Sequence, residues 1–414
     1  MRRAIPADWP LMALALLLTV FGIAMVYSAG QTDVPTFVEG IWRTQLVWFA
    51  LGLGVAYAIT RTSVRFLEEV SLGVYVGACL LLLLLLFIGS GAGTAAGTKS
   101  WLAIGGVRLG QPSELAKIAI VLMLAHVLAG QRKPPTSLLS LWKPALVVLL
   151  PWLLVMAQPD LGTALVFLSI FFAMLFWSGA PWPLLVMAAS PAVSLILAFG
   201  PGVWGAWFLM LLALVAWYRP AIIEGVVLVS VNVMMGVVAP VLWERLNPYQ
   251  QRRLLVFLDP SSDPRASGYH VIQSQVAVGS GGFTGKGFTH GSQKRLAFLP
   301  EQHTDFIFPV VGEELGFIGV TIALAIFCLF LVRIVRISAR ATNPFASLVA
   351  FGLAAAWLTH VVVNIGMTIG LMPITGIPLP FFSYGGSFML ACWMGVGMLL
   401  LVSAEGRGRA DGLV

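Results

Sequence analysis

The feature that most constrains this chain is a succession of apolar runs, each long enough to cross a bilayer. A hydrocarbon core about 30 Å thick takes about 20 residues of helix to span. On that scale the sequence predicts twelve spans, at 9–28, 44–60, 70–89, 112–129, 143–157, 161–178, 182–199, 203–218, 221–242, 316–334, 344–366 and 383–403. Of 414 residues, 59% are hydrophobic and only 10% charged, where a soluble domain carries about a quarter charged residues. The expected fold class is therefore an all-α polytopic membrane protein, folded as one helical bundle. Pro191 interrupts the span at 182–199, and neighbouring helices can satisfy the carbonyl it frees.

The net charge of +7 fits Lys and Arg residues that set membrane orientation. The basic residues are scattered rather than striped, so no nucleic-acid partner is expected. Counting from a cytoplasmic start places Arg61, Arg65, Arg132, Lys133, Arg219, Arg333, Arg336, Arg340, Arg407 and Arg409 inside, against Arg43, Lys99 and Arg108 outside. Both termini are then cytoplasmic. The start, Met1-Arg2-Arg3 and then apolar residues, is signal-like. However, Trp9 to Ala29 is too long for an h-region of about 7–15 residues, so a retained signal-anchor helix is expected. Cys79, Cys328 and Cys392 lie in apolar runs at spacings of no metal or redox motif, and read as packing residues.

Three segments fall outside by the same count. Residues 243–315 carry seven cations (Arg245, Arg252, Arg253, Arg265, Lys286, Lys294, Arg295) and seven acids (Glu244, Asp259, Asp263, Glu301, Asp305, Glu313, Glu314). A connection needs far fewer residues. Aromatic and apolar side chains throughout predict that the segment orders against the membrane face. Residues 90–111 are Gly-rich at first, and then carry Trp101, Leu102, Ile104 and Val107, suited to the interface. Residues 367–382 hold Pro373, Pro378 and Pro380 beside Gly370 and Gly376. Such broken apolar backbone is tolerated at membrane depth only where protein or a cavity covers it.

Ionisable residues in or near spans are candidates for function, since burying them is expensive. Glu114 and Lys117 share a face at the head of one helix, with Pro112 and Ser113 before them. A structural ion pair and a cation aimed at an anionic substrate both remain open. Asp160 after Gln158-Pro159 reads as a helix cap. Asp259 and Asp263, each followed by Pro, read locally as turn residues. His303-Thr304-Asp305 is only a sequence echo of a catalytic triad. His270, His290 and His303 are too widely spaced for a short zinc motif. The glycines from Gly279 to Gly287 lack the spacing and the Lys-Ser/Thr ending of an NTP loop.

Longer motifs then align in order. Gln111-Pro112-Ser113-Glu114-Leu115-Ala116-Lys117 and Gln158-Pro159-Asp160-Leu161-Gly162-Thr163 come first. Asp263-Pro264, Gly268-Tyr269-His270-Val271-Ile272-Gln273-Ser274 and Gly279-Ser280-Gly281-Gly282 follow. Phe298-Leu299-Pro300-Glu301-Gln302-His303-Thr304-Asp305, Gly312-Glu313-Glu314-Leu315-Gly316, Asn364-Ile365-Gly366-Met367, Gly376-Ile377-Pro378-Leu379-Pro380-Phe381 and Ser383-Tyr384-Gly385-Gly386-Ser387 complete the set. Together they resemble the SEDS family across nearly the whole chain. Gly287 to Gln293, and His270 after Tyr269, look more like its rod-elongation branch than its division branch.

The resemblance implies a ten-span core, with 182–218 as an inserted hairpin. It implies a peptidoglycan glycosyltransferase of the bacterial cytoplasmic membrane, polymerising lipid II on the extracytoplasmic side during elongation. The implied partners are a class B penicillin-binding protein and other membrane proteins of the elongation complex. The reaction would be an inverting single displacement that releases undecaprenyl pyrophosphate. By residue, the resemblance makes Asp263 the general base and places Lys117 and Glu114 at a central polar cluster, suited to the pyrophosphate. Trp101 would stack on sugar or hold its segment to the membrane, and Arg252 and Arg253 are candidates for a phosphate clamp. Asp160, His303, Asp305 and Ser383 would support the site. A divalent cation (Mg or Mn) on the pyrophosphate is chemically reasonable, though no ligand set in the sequence demonstrates one. Two other readings stay open: a lipid II flippase, which needs charge lining a path to both faces, and a scaffold that activates a penicillin-binding protein without catalysing.

Overall fold

The computed structural model describes residues 8–33, 35–36, 38–91, 99–104, 107–246, 251, 255–257, 259, 267–299 and 301–410. Each of the twelve predicted spans coincides with a helix. These are α1 (Trp9–Ala29), α2 (Ile41–Thr60), α3 (Val64–Ile88), α4 (Pro112–Ala129), α5 (Trp142–Ala157), α6 (Leu161–Trp177), α7 (Trp182–Leu197), α8 (Pro201–Tyr218) and α9 (Ile222–Arg245). After the polar segment with α10 (Ser267–Ser280) and α11 (Ser292–Arg295) come α12 (Ile307–Arg340), α13 (Pro344–Thr368) and α14 (Gly386–Ala410). Among the described residues, nine helices are long and apolar enough to cross a membrane, whereas α6 and α7 are apolar but shorter. An antiparallel hairpin of β1 (Leu102–Ile104) and β2 (Val107–Gly110) interrupts the otherwise helical fold. The sequence reading had only an interfacial segment there. Residues 92–98 of its Gly-rich part lie outside the described residues.

Of those nine, α4, α13 and α14 are the most enclosed and α8 the least. The gradient follows from composition. Lipid is as apolar as a Leu side chain, so an exposed Leu costs nothing there, and polar or small residues mark where helices meet. Asn232 of α9 donates to Ser190 at 2.8 Å and accepts from Ser194 at 2.6 Å, both on α7. Trp207 of α8 donates to Ser194 at 3.0 Å. A buried hydrogen-bonded group thus joins α7, α8 and α9, the region expected to hold an inserted hairpin. At the opposite sequence extremes, Asp8 caps α1 through Leu11 N and also accepts from Arg333 of α12 and Ser403 of α14. One carboxylate therefore ties three helices together.

The structure corrects one boundary. Residues 307–315, expected in the polar segment, are helical and continue into the predicted span. The reason lies in Phe306 to Val311, all buried, and in a break at Gly316. There φ is 63° and ψ −161°, a conformation essentially confined to glycine. A break exposes the carbonyls before it and the N–H groups after it, which must be satisfied. The glycine-rich stretch supplies the partners. Lys286 N and Gly287 N donate to the Glu313 and Glu314 carbonyls at 3.0 Å, while Phe317 N and Ile318 N donate to Gly282 and Phe283 at 2.9 and 3.2 Å. The approach is close enough that a side-chain carbon at Gly316 would lie 2.3 Å from Gly285 N. Gly281 and Gly285 thus let backbone meet backbone, since a side-chain carbon at either would lie about 2 Å from the Gly312 or Glu314 carbonyl oxygen.

Candidate functional site

Lys117 and Glu114 are both buried, one turn apart on α4. Lys117 Nζ lies 2.8 and 2.9 Å from the two Glu114 carboxylate oxygens. Its third partner is His360 of α13, with Nζ 2.8 Å from Nε2. His360 Nδ1 lies 2.8 Å from the Pro378 carbonyl. A carbonyl can only accept, so Nδ1 carries the proton and Nε2 offers its lone pair to the ammonium. Phe388 of α14 stacks on the imidazole at 5.0 Å and lies 5.6 Å from Lys117 Nζ. Glu114, Lys117, Trp357, His360, Phe388 and Cys392 line a cavity of about 20 Å³, room for roughly one water. The sequence reading named Lys117 and Glu114 but missed His360. Its signal was a lone ionisable residue within an apolar span, which by itself marks a functional candidate.

The broken segment between α13 and α14 connects this cluster to the polar segment. Three successive carbonyls, of His303, Thr304 and Asp305, are each held from it or from α13. Tyr384 N donates to His303 O at 2.8 Å, Ser383 Oγ to Thr304 O at 2.7 Å, and Asn364 Nδ2 to Asp305 O at 2.9 Å. Asn364 also donates to Ile377 O at 2.8 Å, next to the Pro378 carbonyl that His360 holds. Ser383 Oγ in turn accepts from Leu379 N at 2.8 Å, and Gln45 of α2 donates to Ser383 O at 3.0 Å. The structure thereby brings Lys117 and Glu114 into one hydrogen-bonded framework with His303, Asp305 and Ser383. Burial pushes the His303 imidazole down to about 4 from its ordinary 6.5, so it is neutral at neutral pH.

Asp160 is the cap of α6, accepting from Thr163 N at 3.0 Å and Thr163 Oγ1 at 2.9 Å. It also accepts from Gln111 Nε2 at 3.3 Å, at the entry to α4. Trp101 pairs through its backbone with Ser90 at 3.0 Å, closing the hairpin segment onto the end of α3. Asp263, Arg252 and Arg253 lie outside the described residues. Among the described residues no group of three or more His, Cys, Asp or Glu side chains is placed to hold a metal ion.

A second charged cluster pins the polar segment down. Lys294 of α11 and Glu314 of α12 form an ion pair that also engages Ser28 of α1. Beside it, Glu313 Oε1 accepts from Lys286 Nζ at 2.7 Å, Ser292 Oγ at 3.0 Å and Gln293 N at 3.0 Å. Burial holds Lys294 below its ordinary pKa, against the opposing pull of Glu314. The sequence reading counted these four charges but did not pair them.

Fold and site together define a multi-pass membrane protein with an ion pair enclosed between its central helices and tied to a folded polar segment. The cell cycle protein family of FtsW, RodA and SpoVE has a model that matches residues 8–203 and 199–408, and the chain belongs to this family, the SEDS family. It is 37% identical over 395 residues to the peptidoglycan glycosyltransferase MrdB of Escherichia coli K12, covering 95% of this chain and 92% of that protein. Its fold matches a chain from a peptidoglycan synthase complex that coordinates polymerization and crosslinking, with a TM-score of 0.72, 30% identity and coverage of 97% and 99%. The rod shape determining protein RodA of Thermus thermophilus matches with a TM-score of 0.62, 28% identity and coverage of 96% and 97%.

Proposed function

We propose that the chain is a peptidoglycan glycosyltransferase that polymerises lipid II into glycan strands during cell elongation. The observation that carries this reading is the relationship to a protein of that activity over 95% of the chain. The charge pattern supports a bacterial cytoplasmic membrane protein with cytoplasmic termini and the 243–315 segment outside. A class B penicillin-binding protein is the proposed partner, alongside other membrane proteins of the elongation complex. The likeness to a synthase complex joining polymerization to crosslinking supports the first of these.

In this reading Asp263 takes the proton from the attacking sugar hydroxyl. That oxygen bonds to the anomeric carbon from the face opposite the diphosphate, and the configuration inverts. The bond from that carbon to the diphosphate oxygen breaks, and its electron pair leaves with undecaprenyl pyrophosphate. Proton removal and stabilisation of the leaving charge are what such a displacement needs. Lys117 supplies positive charge to the leaving group, with Glu114 orienting it, and Arg252 and Arg253 supply further donors.

The test is strand synthesis from fluorescent lipid II by the purified chain with its partner transpeptidase in liposomes. A ladder of strands is expected from the wild type and none from Asp263→Asn. Translocated but unpolymerised lipid II would favour a flippase. Full activity in Asp263→Asn would favour a scaffold.

A further inference from the structure

We infer that His360 is a positioning residue for the Lys117 ammonium, and that through it the leaving diphosphate meets a fixed rather than a freely rotating cation. The inference rests on the glycosyltransferase reading of the site.

An ammonium has three N–H donors and a free rotor. Glu114, one turn away on the same helix, takes two of them. That pair alone leaves the third direction open. His360 Nε2 closes it at 2.8 Å from a different helix. The imidazole is itself fixed on two sides, by the Pro378 carbonyl at 2.8 Å and by the Phe388 ring at 5.0 Å. The tautomer is dictated by the carbonyl, so Nε2 can only accept. His360 is buried and neutral in this arrangement, so the cluster as a whole carries no net charge. An arriving diphosphate then meets an ammonium whose charge Glu114 balances and whose remaining N–H is held by an uncharged acceptor that does not repel the anion. The geometry assigns the two partners different tasks: Glu114 retains the charge, and His360 aims it.

Two substitutions separate this role from simple support of the 376–384 segment. An Asn amide nitrogen occupies the place of Nδ1, and a Gln amide oxygen can occupy that of Nε2. His360→Asn keeps the donor to Pro378 and loses the acceptor for Lys117. His360→Gln does the reverse. Both variants, purified in detergent and reconstituted with the partner transpeptidase, are assayed for strand synthesis from fluorescent lipid II, with rates normalised to folded, monodisperse protein. Loss of a hydrogen bond to a charged group predicts a kcat about tenfold or more lower in His360→Asn, with KM within about threefold. His360→Gln is expected to stay within about threefold of wild type in both constants. The opposite order, or equal loss in both variants, overturns the inference. An inactive wild type would instead overturn the glycosyltransferase reading, and an active Asp263→Asn would remove its base, so the failures are distinguishable.

Discussion

Lys294 Nζ lies 2.6 Å from Glu314 Oε1, and neither side chain has any exposed surface. The Ser28 hydroxyl donates to Glu314 Oε2 at 2.6 Å, and the Ser28 carbonyl accepts from Lys294 at 2.6 Å. Three chain segments that are distant in sequence thus close on one ion pair. Desolvating two charges is expensive, so the pair adds little net stability over an apolar replacement, but breaking it strands a buried charge.

Lys294→Met is accordingly expected to destabilise the protein by about 3–5 kcal/mol. Lys294→Met combined with Glu314→Leu is expected to recover much of that loss. Thermal and denaturant unfolding in detergent measures both. A double variant no more stable than the single one would show that the charges are not coupled.

Gly316→Ala places a side chain where φ is 63° and Gly285 N is 2.3 Å away. The backbone strain alone costs about 1–3 kcal/mol, and relieving the clash means lifting the 281–287 stretch off α12. A lower Tm with faster proteolytic cleavage near residue 283 is expected. An unchanged Tm would contradict the close approach.

Ser383→Ala removes a donor to Thr304 O, in a part-buried setting, and an acceptor for Leu379 N, in a buried one. Stranding such groups costs about 1–3 kcal/mol each. Hydrogen exchange should quicken in residues 301–306 and at Leu379, while α7 to α9 stay protected. Uniform exchange across the chain would argue for global destabilisation instead.

The depressed His303 pKa, about 4 in the fold against 6.5 for an ordinary imidazole, sets a pH dependence. Between those values the unfolded chain binds a proton that the folded one refuses. This contribution is intact above pH 6.5 and is lost as pH falls toward 4, up to about 3 kcal/mol in all. Tm measured from pH 7.5 to 4.5 should fall more steeply in wild type than in His303→Gln. Parallel curves would remove His303 as the cause.

Asn232→Leu deletes the centre of the hydrogen-bonded group joining α7, α8 and α9. Such intramembrane bonds are worth about 0.5–2 kcal/mol. A modest drop in Tm is expected, and no change would mean that the helices hold by packing alone.

Much of this was legible in advance because the bilayer reduces folding to a question of length and polarity. Hydropathy alone places α1 at 9–28, where the helix runs from Trp9 to Ala29, and it places α4 at the bounds it has. Asp160 was read as a cap from its place before an apolar run, and it is one. Gly316 was harder to read. Glu313, Glu314 and Leu315 before it are good helix formers and a long apolar run follows it, and only the backbone packed against the break shows why the helix parts there. An isolated histidine in an apolar span marks His360 as a candidate but not its role, because its partners Lys117 and the Pro378 carbonyl lie on other elements.

The sequence by itself determined that this chain crosses a membrane repeatedly, where its helices fall, which family it belongs to and which acid and lysine share a face of α4. Those properties are local or cumulative along the chain. Only the tertiary structure decided that Lys117 is held by His360 as well as Glu114, that Pro378 sets the imidazole tautomer, and that Glu314 pairs with Lys294. In each case the partners lie on different elements, and burial makes their polar groups find one another within hydrogen-bond distance, which no spacing in the sequence encodes.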